Sequence, residues 1–381
     1  MEQESTTQYP RVTVIEEGMR EGMQIESASI DVSDKVRLLD ALSATGLRRI
    51  VVGSFVSPRW TPQMAEVDKI VGSFTPAAGV SYTGLALNER GRQRLRDHIP
   101  PLSEPGRVPR TMVHLCDVFV RRNTNRSTDD EIAAWPSVIE RAAGAGAAEA
   151  GIGVNAAWGS NWLGEFTAEQ RMDMLRRQQK LWRDADVAVT EVFLGDPMGW
   201  NIPDRVAAQL RQIRAEMPGI TTFHLHLHNT RGTALLSAYT ALQALDPSCH
   251  LILDSSIGGM GGCPYCGNGR ATGMIPTEDL VDLLTELGIP TGVDLDKLIE
   301  AAVLAEQVVG HPLYGHVSKA GPRPRGDRRY PMDLPFIETM EQAQHFRLGA
   351  QAYRGAMSPW KEPIVSPAHP EGSPGRARES S

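Results

Sequence analysis

From Arg11 onward the chain alternates short apolar runs with amphipathic stretches, and this rhythm limits the fold more than any other feature. The strand candidates are residues 12–16, 49–53, 81–85, 111–115, 149–154, 190–194, 222–227 and 251–255. Between them, residues 33–45, 130–143, 167–184, 204–216 and 231–245 carry amphipathic helical patterns. Ser33-Asp34 and the capping box Thr167-Ala168-Glu169-Gln170 read as helix starts. Strand–helix alternation implies parallel strands with helical crossovers. Eight strands in roughly 250 residues is the count of a (β/α)8 barrel. A doubly wound sheet is the rival, weakened because no Gly-x-Gly-x-x-Gly follows the first strand. The expected protein is therefore α/β, a (β/α)8 TIM barrel over residues 11–310. Residues 1–10 are expected to be flexible. Helices are expected at 277–287, 294–309 and 338–349, so the C-terminal extension, residues 311–365, is helical in part. Residues 366–381, rich in Pro, Gly, Ser and Arg, read as a disordered tail. The basic stretch 316–328 is either a solvated loop or a clamp for an anionic group.

Composition removes several function classes. A net charge of −7 argues against a general nucleic-acid binder. No apolar run reaches the roughly 18 residues of a membrane span. The start, Met1-Glu2-Gln3-Glu4-Ser5, lacks the basic and apolar regions of a signal peptide. Four cysteines are too few for a disulfide scaffold of this length, so a reducing cytoplasm is expected. The partner implied is a small molecule, not a nucleic acid or a membrane.

In a barrel of this kind the chemistry sits at the C-terminal ends of the strands. The seventh strand ends in His224-Leu225-His226-Leu227-His228. Residues two apart on a strand share a face, so the three imidazoles project together and two of them can grip one metal ion. Two histidines plus a carboxylate leave open positions on a divalent cation, and Glu21, after the first strand, is the carboxylate candidate. Arg20 beside it can hold an enolate or carboxylate oxygen. The other polar strand-end residues are Gln24, Ser54, Asn88, Asn155, Asp196 and Asn229. Gln24, Ser54, Asn88, Asn155 and Asn229 are the candidate substrate contacts. After the eighth strand, the glycine-rich stretch 258–269 brings backbone close to a ligand and carries Cys263, a candidate acid/base group. Cys263-Pro264-Tyr265-Cys266 also fits a C-x-x-C zinc or redox signal, but no second such pair accompanies it.

Taken in order, these pieces resemble the 3-hydroxy-3-methylglutaryl-CoA lyase family of metal-dependent (β/α)8 lyases. The resemblance is collinear from about Arg11 to Ala305. It rests on Gly18-Met19-Arg20-Glu21-Gly22-Met23-Gln24, on Ser54-Phe55-Val56-Ser57-Pro58-Arg59-Trp60-Thr61-Pro62-Gln63-Met64, and on Arg121-Arg122-Asn123-Thr124-Asn125. It continues in His226-Leu227-His228-Asn229-Thr230, Asp254-Ser255-Ser256 and Gly261-Gly262-Cys263-Pro264-Tyr265. The family cleaves 3-hydroxy-3-methylglutaryl-CoA to acetyl-CoA and acetoacetate. The resemblance implies that His226, His228 and Glu21 bind a divalent cation (Mg2+, Mn2+ or Zn2+), with Glu21 replacing the usual aspartate. It implies that Arg20 stabilises the enolate, that Cys263 moves a proton, and that Asp196 supports the site. A CoA thioester substrate and a homodimer are also implied. The departures cluster at the same place. Met274 stands where the family has an asparagine ligand, for which Asn268 is the candidate substitute. Asn229 replaces an aspartate, Val51 a glutamate, Pro197 a threonine and Ser27 a lysine. They point to a relative acting on another 3-hydroxy acid or acyl-CoA. A Claisen-type condensing synthase and a non-catalytic ligand-binding relative are the alternative readings.

Overall fold

All eight expected strands form, and they join one parallel sheet. The computed structural model describes residues 8–103, 108–266 and 273–329. The strands are β1 (Arg11–Glu16), β2 (Arg49–Ser54), β3 (Ser81–Leu85), β4 (Val113–His114), β5 (Glu149–Asn155), β6 (Ala188–Asp196), β7 (Thr222–Leu227) and β8 (His250–Ser255). Their hydrogen-bonded order is β3-β2-β1-β8-β7-β6-β5-β4, with parallel pairing throughout. The helices are α1 (Val32–Ser43), α2 (Val67–Val71), α3 (Glu89–Arg96), α4 (Asp117–Thr124), α5 (Thr128–Gly144) and α6 (Ala168–Asp184). They continue with α7 (Pro203–Glu216), α8 (Ala234–Ala244), α9 (Thr277–Glu286), α10 (Leu295–Val309) and α11 (Val317–Ala320). This is the (β/α)8 barrel with C-terminal helices that the alternation predicts. No described helix is long and apolar enough to cross a membrane.

Period-two alternation sorts each strand into two faces. One face packs against the helices. Ile152, Val192, Phe223, Leu225 and Leu251 join α5–α8 in one apolar cluster, while Ile50 and Val52 join α1 and α10 in another. On the other face, Ile15, Val51 and Ile252 make a small apolar layer inside the barrel. Val51, the residue in place of the family's glutamate, is thus an apolar plug. Glycine makes room for the large interior side chains: a Cβ at Gly153 would lie 2.2 Å from Met112 Sδ.

The helix starts differ in part from expectation. Thr167 and Gln170 form the expected capping box on α6. Helix α1 begins earlier than Ser33-Asp34 suggests, because the backbone already turns helical after Asp31 (φ −62°, ψ 146°), and Asp31 makes no side-chain cap. A second capping box, Ser127 with Asp130, starts α5 and was not anticipated. Strand β4 is shorter than expected because Cys116 already caps α4. Strand β6 is longer because Gly195 and Asp196 continue the ladder with His226 and Leu227.

The chain divides at Gly321 into two compact units. In the first, the stretch expected as loop or anion clamp begins with α11, where His316 pairs with Asp279 at 3.1 Å and Lys319 pairs with Glu306. In the second, the described residues contain one 3-10 turn, Gly326–Arg328. The expected helix at 338–349 and the tail at 366–381 lie outside the described residues, as do residues 1–7.

Below the strand ends sits a buried carboxyl hub. Glu16 Oε1 accepts the N–H groups of Gly18 (2.7 Å) and Ile257 (2.9 Å), and Oε2 accepts the Thr277 hydroxyl. Gly18 is required there, since a Cβ would fall 2.5 Å from Glu16 Oε1. Burial pushes Glu16 up to about 7, and the neighbouring Glu278 adds to the rise. A carboxyl with a raised folded-state pKa binds more protons folded than unfolded, so its contribution to stability is fully present at low pH. That contribution is lost as pH climbs from about 4.5 to about 7. The loss is about 3 kcal/mol for Glu16. Glu16→Gln keeps the Oε1 acceptor and is expected to be the more stable protein at pH 8 but not at pH 4.5. Denaturant melts at the two pH values check this, and an equal offset at both would refute it.

Candidate functional site

The candidate metal ligands meet at the mouth of the barrel. After β1 the chain makes one turn of π-helix, Gly18–Gly22, in which the Gly22 N–H reaches back to the Glu17 carbonyl at 3.2 Å. Such wide turns re-aim side chains at functional sites. This one carries Arg20 and Glu21. Arg20 is ion-paired to Glu17 through Nε at 2.7 Å and to Glu21 through its other end. At the end of β7, His226 Nε2 and His228 Nε2 lie 3.3 Å apart, and His228 Nε2 lies 3.7 Å from Glu21 Oε1. Among the described residues, Glu21, His226 and His228 are the group whose ligand atoms lie within 4.8 Å of one another. Two imidazole nitrogens on one tetrahedral zinc are separated by about 3.3 Å, so the pair already has a metal-binding span.

The supporting contacts fix the ligands' chemistry. His226 Nδ1 faces Asp254 Oδ2 at 2.8 Å, and His224 Nε2 faces Asp254 Oδ1 at 2.8 Å. A carboxylate on Nδ1 draws the ring proton there and leaves Nε2 as a lone-pair donor. Burial opposes charge on His226, but Asp254 and Glu21 outweigh it and raise the imidazole. Burial also opposes ionisation of Glu21, yet Arg20, His228 and His226 hold its carboxyl below the usual range. His224, deeper in the strand, is bound to Asp254 and lies outside the three-ligand group. Asp254 went unassigned in the sequence although Asp254-Ser255-Ser256 stood out. Its signal was its place two residues after Ile252 on the inward face of β8.

The remaining predicted residues fall into distinct places. Gln24 Nε2 donates to Glu21 Oε2 at 3.3 Å. Asp196 is fully buried and accepts the N–H groups of Trp200 (3.0 Å) and Asn201 (2.7 Å) and the Asn201 amide (2.7 Å). Burial raises its carboxyl despite these bonds. Asn201 in turn donates to the His228 carbonyl at 2.9 Å, so Asp196 and Asn201 brace the strand end that carries His228. Asn201 was missed because it lies five residues beyond the strand. Two substrate candidates also serve the local backbone. Asn88 Oδ1 caps α3 by accepting the Gly91 N–H at 2.9 Å, and Asn229 Oδ1 accepts the Ala234 N–H at 3.0 Å where α8 begins. Ser54 is buried, and its hydroxyl meets no described partner. Asn155 stands on the mouth of the barrel at the end of β5. Cys263 is buried in a cluster with Cys116, Phe119, Phe166, Met198 and Cys266. A hydrogen bond with Cys263, together with burial, pushes the Cys266 thiol far up, and it donates to the Pro197 carbonyl at 3.1 Å. Asn268 lies outside the described residues. The loop returns at Met274, which is buried and pairs as a β-bridge with His228.

This fold has known counterparts. The model of the HMGL-like family matches residues 11–305. The chain belongs to the HMGL-like family. Among its relatives is an (R)-citramalyl-CoA lyase of Chloroflexus aurantiacus, 32% identical over 321 residues, covering 82% of this chain and 95% of the relative. Another is a 3-hydroxy-3-isohexenylglutaryl-CoA/hydroxymethylglutaryl-CoA lyase of Pseudomonas aeruginosa, 32% identical over 310 residues, covering 81% and 97%. Among solved structures, an HMG-CoA lyase of Acinetobacter baumannii in complex with coenzyme A and 3-methylmalate superposes with a TM-score of 0.66 at 26% identity. It covers 85% of this chain and 98% of that one. Within this HMGL-like barrel, Glu21 follows β1 and His226 and His228 lie at the end of β7, on the face its alternation predicts.

Proposed function

We infer that this chain is a divalent-metal-dependent carbon–carbon lyase that cleaves a 3-hydroxy acyl-CoA thioester. The observation that carries this reading is the convergence of Glu21, His226 and His228 beside Arg20 at the mouth of an HMGL-like barrel. Curated relatives covering most of the chain are named as lyases of hydroxymethylglutaryl-CoA and citramalyl-CoA. The cation, when bound, would polarise the substrate's hydroxyl and adjoining oxygen. The protein's own groups do the rest. Glu17 and Glu21 hold the Arg20 guanidinium in place, where it can receive the negative charge that grows on an enolate oxygen as the C–C bond breaks. Asp254 keeps His226 in its ligating tautomer. Cys263, seven per cent exposed, is the acid/base candidate: it would take up the proton of the substrate hydroxyl as the C–C bond breaks and the carbonyl forms, and return a proton to the enolate carbon. The reading is tested by incubating the purified protein and Mn2+ with 3-hydroxy-3-methylglutaryl-CoA and with citramalyl-CoA. Acetyl-CoA with acetoacetate or with pyruvate is expected. Failure to release acetyl-CoA from either thioester would sink it.

The donor set also bears on which cation is held. Two imidazoles with one carboxylate suit zinc, manganese or another transition ion better than magnesium, which prefers oxygen ligands throughout. Met274 offers only a thioether. Its Cγ lies 3.2 Å from a Cβ built on Gly261, and Glu21 Cγ lies 3.5 Å from the same point. Met274→Asn supplies an oxygen donor there and is expected to tighten Mg2+ binding about tenfold relative to Zn2+. Equilibrium dialysis with each metal measures the ratio, and an unchanged ratio would remove Met274 from the metal's surroundings.

A further inference from the structure

A second polar assembly crosses the barrel mouth beside the metal site. His114 at the end of β4 is paired in register with Asn155 at the end of β5. One residue beyond the Val154–Leu194 pair, Asn155 meets Gly195 of β6, and Gly195 is in register with His226. These four inward positions make one row that ends on a metal-ligand candidate. Gly195 leaves a gap in that row, and the Asn155 carboxamide fills it: a Cβ on Gly195 would fall 2.3 Å from Asn155 Oδ1. The carboxamide oxygen therefore sits against Gly195, one strand away from His226, and the amide nitrogen lies on the His114 side.

Its orientation is determined by its neighbours. The Ala156 N–H donates to Asn155 Oδ1 at 2.9 Å, aimed there by a left-handed backbone at Ala156 (φ 51°). A main-chain N–H requires an acceptor, so the oxygen faces Ala156 and the amide nitrogen faces His114. Nδ2 then donates to His114 Nε2 at 3.1 Å, which makes Nε2 the bare nitrogen of the ring. The ring proton lies on Nδ1 and points at both Glu131 oxygens, at 2.8 and 3.0 Å. Glu131 also accepts the His114 main-chain N–H at 2.8 Å. Glu131 itself is fastened, because the Thr128 hydroxyl donates to the His114 carbonyl at 3.0 Å and Ser127 with Asp130 caps the same helix. The chain Glu131–His114–Asn155 thus engages both ring nitrogens of His114, one on Glu131 and one on the Asn155 carboxamide. The second N–H of that carboxamide is bonded to no described residue.

We propose that Glu131 and His114 are positioning residues that present Asn155 as a hydrogen-bond donor to an oxygen of the acyl group bound beside the metal. The three together select acyl groups that carry an oxygen acceptor at that place over those with an apolar branch there. The proposal rests on the lyase reading for the identity of the ligand, but its test reads binding rather than turnover. Calorimetry with the free acids 3-hydroxy-3-methylglutarate and citramalate, in the presence of Mn2+, supplies the measurement. Asn155→Ala and His114→Ala are each expected to weaken the better-bound acid about tenfold or more, the value of one lost hydrogen bond to a charged group. Mn2+ affinity, set by Glu21, His226 and His228, should stay within about twofold of the parent. Glu131→Gln, which keeps an acceptor for the ring proton, should restore most of what Glu131→Ala loses. His114→Ala should add nothing on the Asn155→Ala background, because His114 acts only through Asn155. Additive losses, parallel loss of Mn2+ binding, unchanged affinities or no binding of either acid by the parent would each overturn the proposal. A parent protein that binds an acid but cleaves neither thioester would refute the lyase reading and leave this one standing.

Discussion

Replacing His226 with alanine is expected to lower kcat by at least about 10^3-fold and to abolish stoichiometric binding of a divalent cation. The physical reason is the small size of the donor set. Glu21, His226 and His228 are the candidate ligands among the described residues, and losing one leaves two donors around an ion that needs at least three protein contacts to stay in place. The effect should be graded by distance from the ion. Asp254→Asn leaves all three ligands but removes the carboxylate that fixes the His226 tautomer, and a loss of about 10- to 100-fold in metal affinity is expected. Metal content of the purified variants and titration with Mn2+ check both. A His226→Ala protein that retains parental turnover after chelation would end the metal-dependent account.

Arg20→Met is the second large effect. Removing a cation aimed at developing negative charge costs about 10^2- to 10^3-fold in kcat at comparable sites. Burial disfavours a charged guanidinium, but Glu17 and Glu21 outweigh it and hold Arg20 fully protonated. The charge is therefore constant across the working pH range, and the loss in Arg20→Met should be the same at pH 6 and pH 9. Metal binding should survive, since Arg20 is not a ligand and its removal leaves Glu21 more negative towards the ion. Steady-state kinetics with parallel Mn2+ titration separate the two functions. Equal losses in kcat and in metal affinity would reassign Arg20 to holding Glu21.

The barrel was legible because its cause is local. Strands such as Thr222–Leu227 alternate faces with period two, helices such as α6 announce their own start at Thr167, and eight repeats of one pattern leave few topologies. The convergence of Glu21, His226 and His228 was legible for a related reason. Strand ends and their first loop residues sit on the active face of any such barrel, so chemistry could be read off position. Less legible were side chains with a local use: Asn88 and Asn229, candidate ligand contacts in the sequence, each accept a backbone N–H at a helix start, which a short polar side chain does readily.

The amino-acid sequence by itself determined the fold class, the order of the strands and which strand ends carry the candidate metal ligands, because these follow from periodicity along one segment at a time. Only the tertiary structure decided which polar groups face each other across segments. Asp254 on β8 fixes the tautomer of His226 on β7, and Glu131 on α5 fixes that of His114 on β4. Both pairings depend on strand register and on where a helix begins, and these are settled by the packing of the whole barrel rather than by any single stretch of the chain.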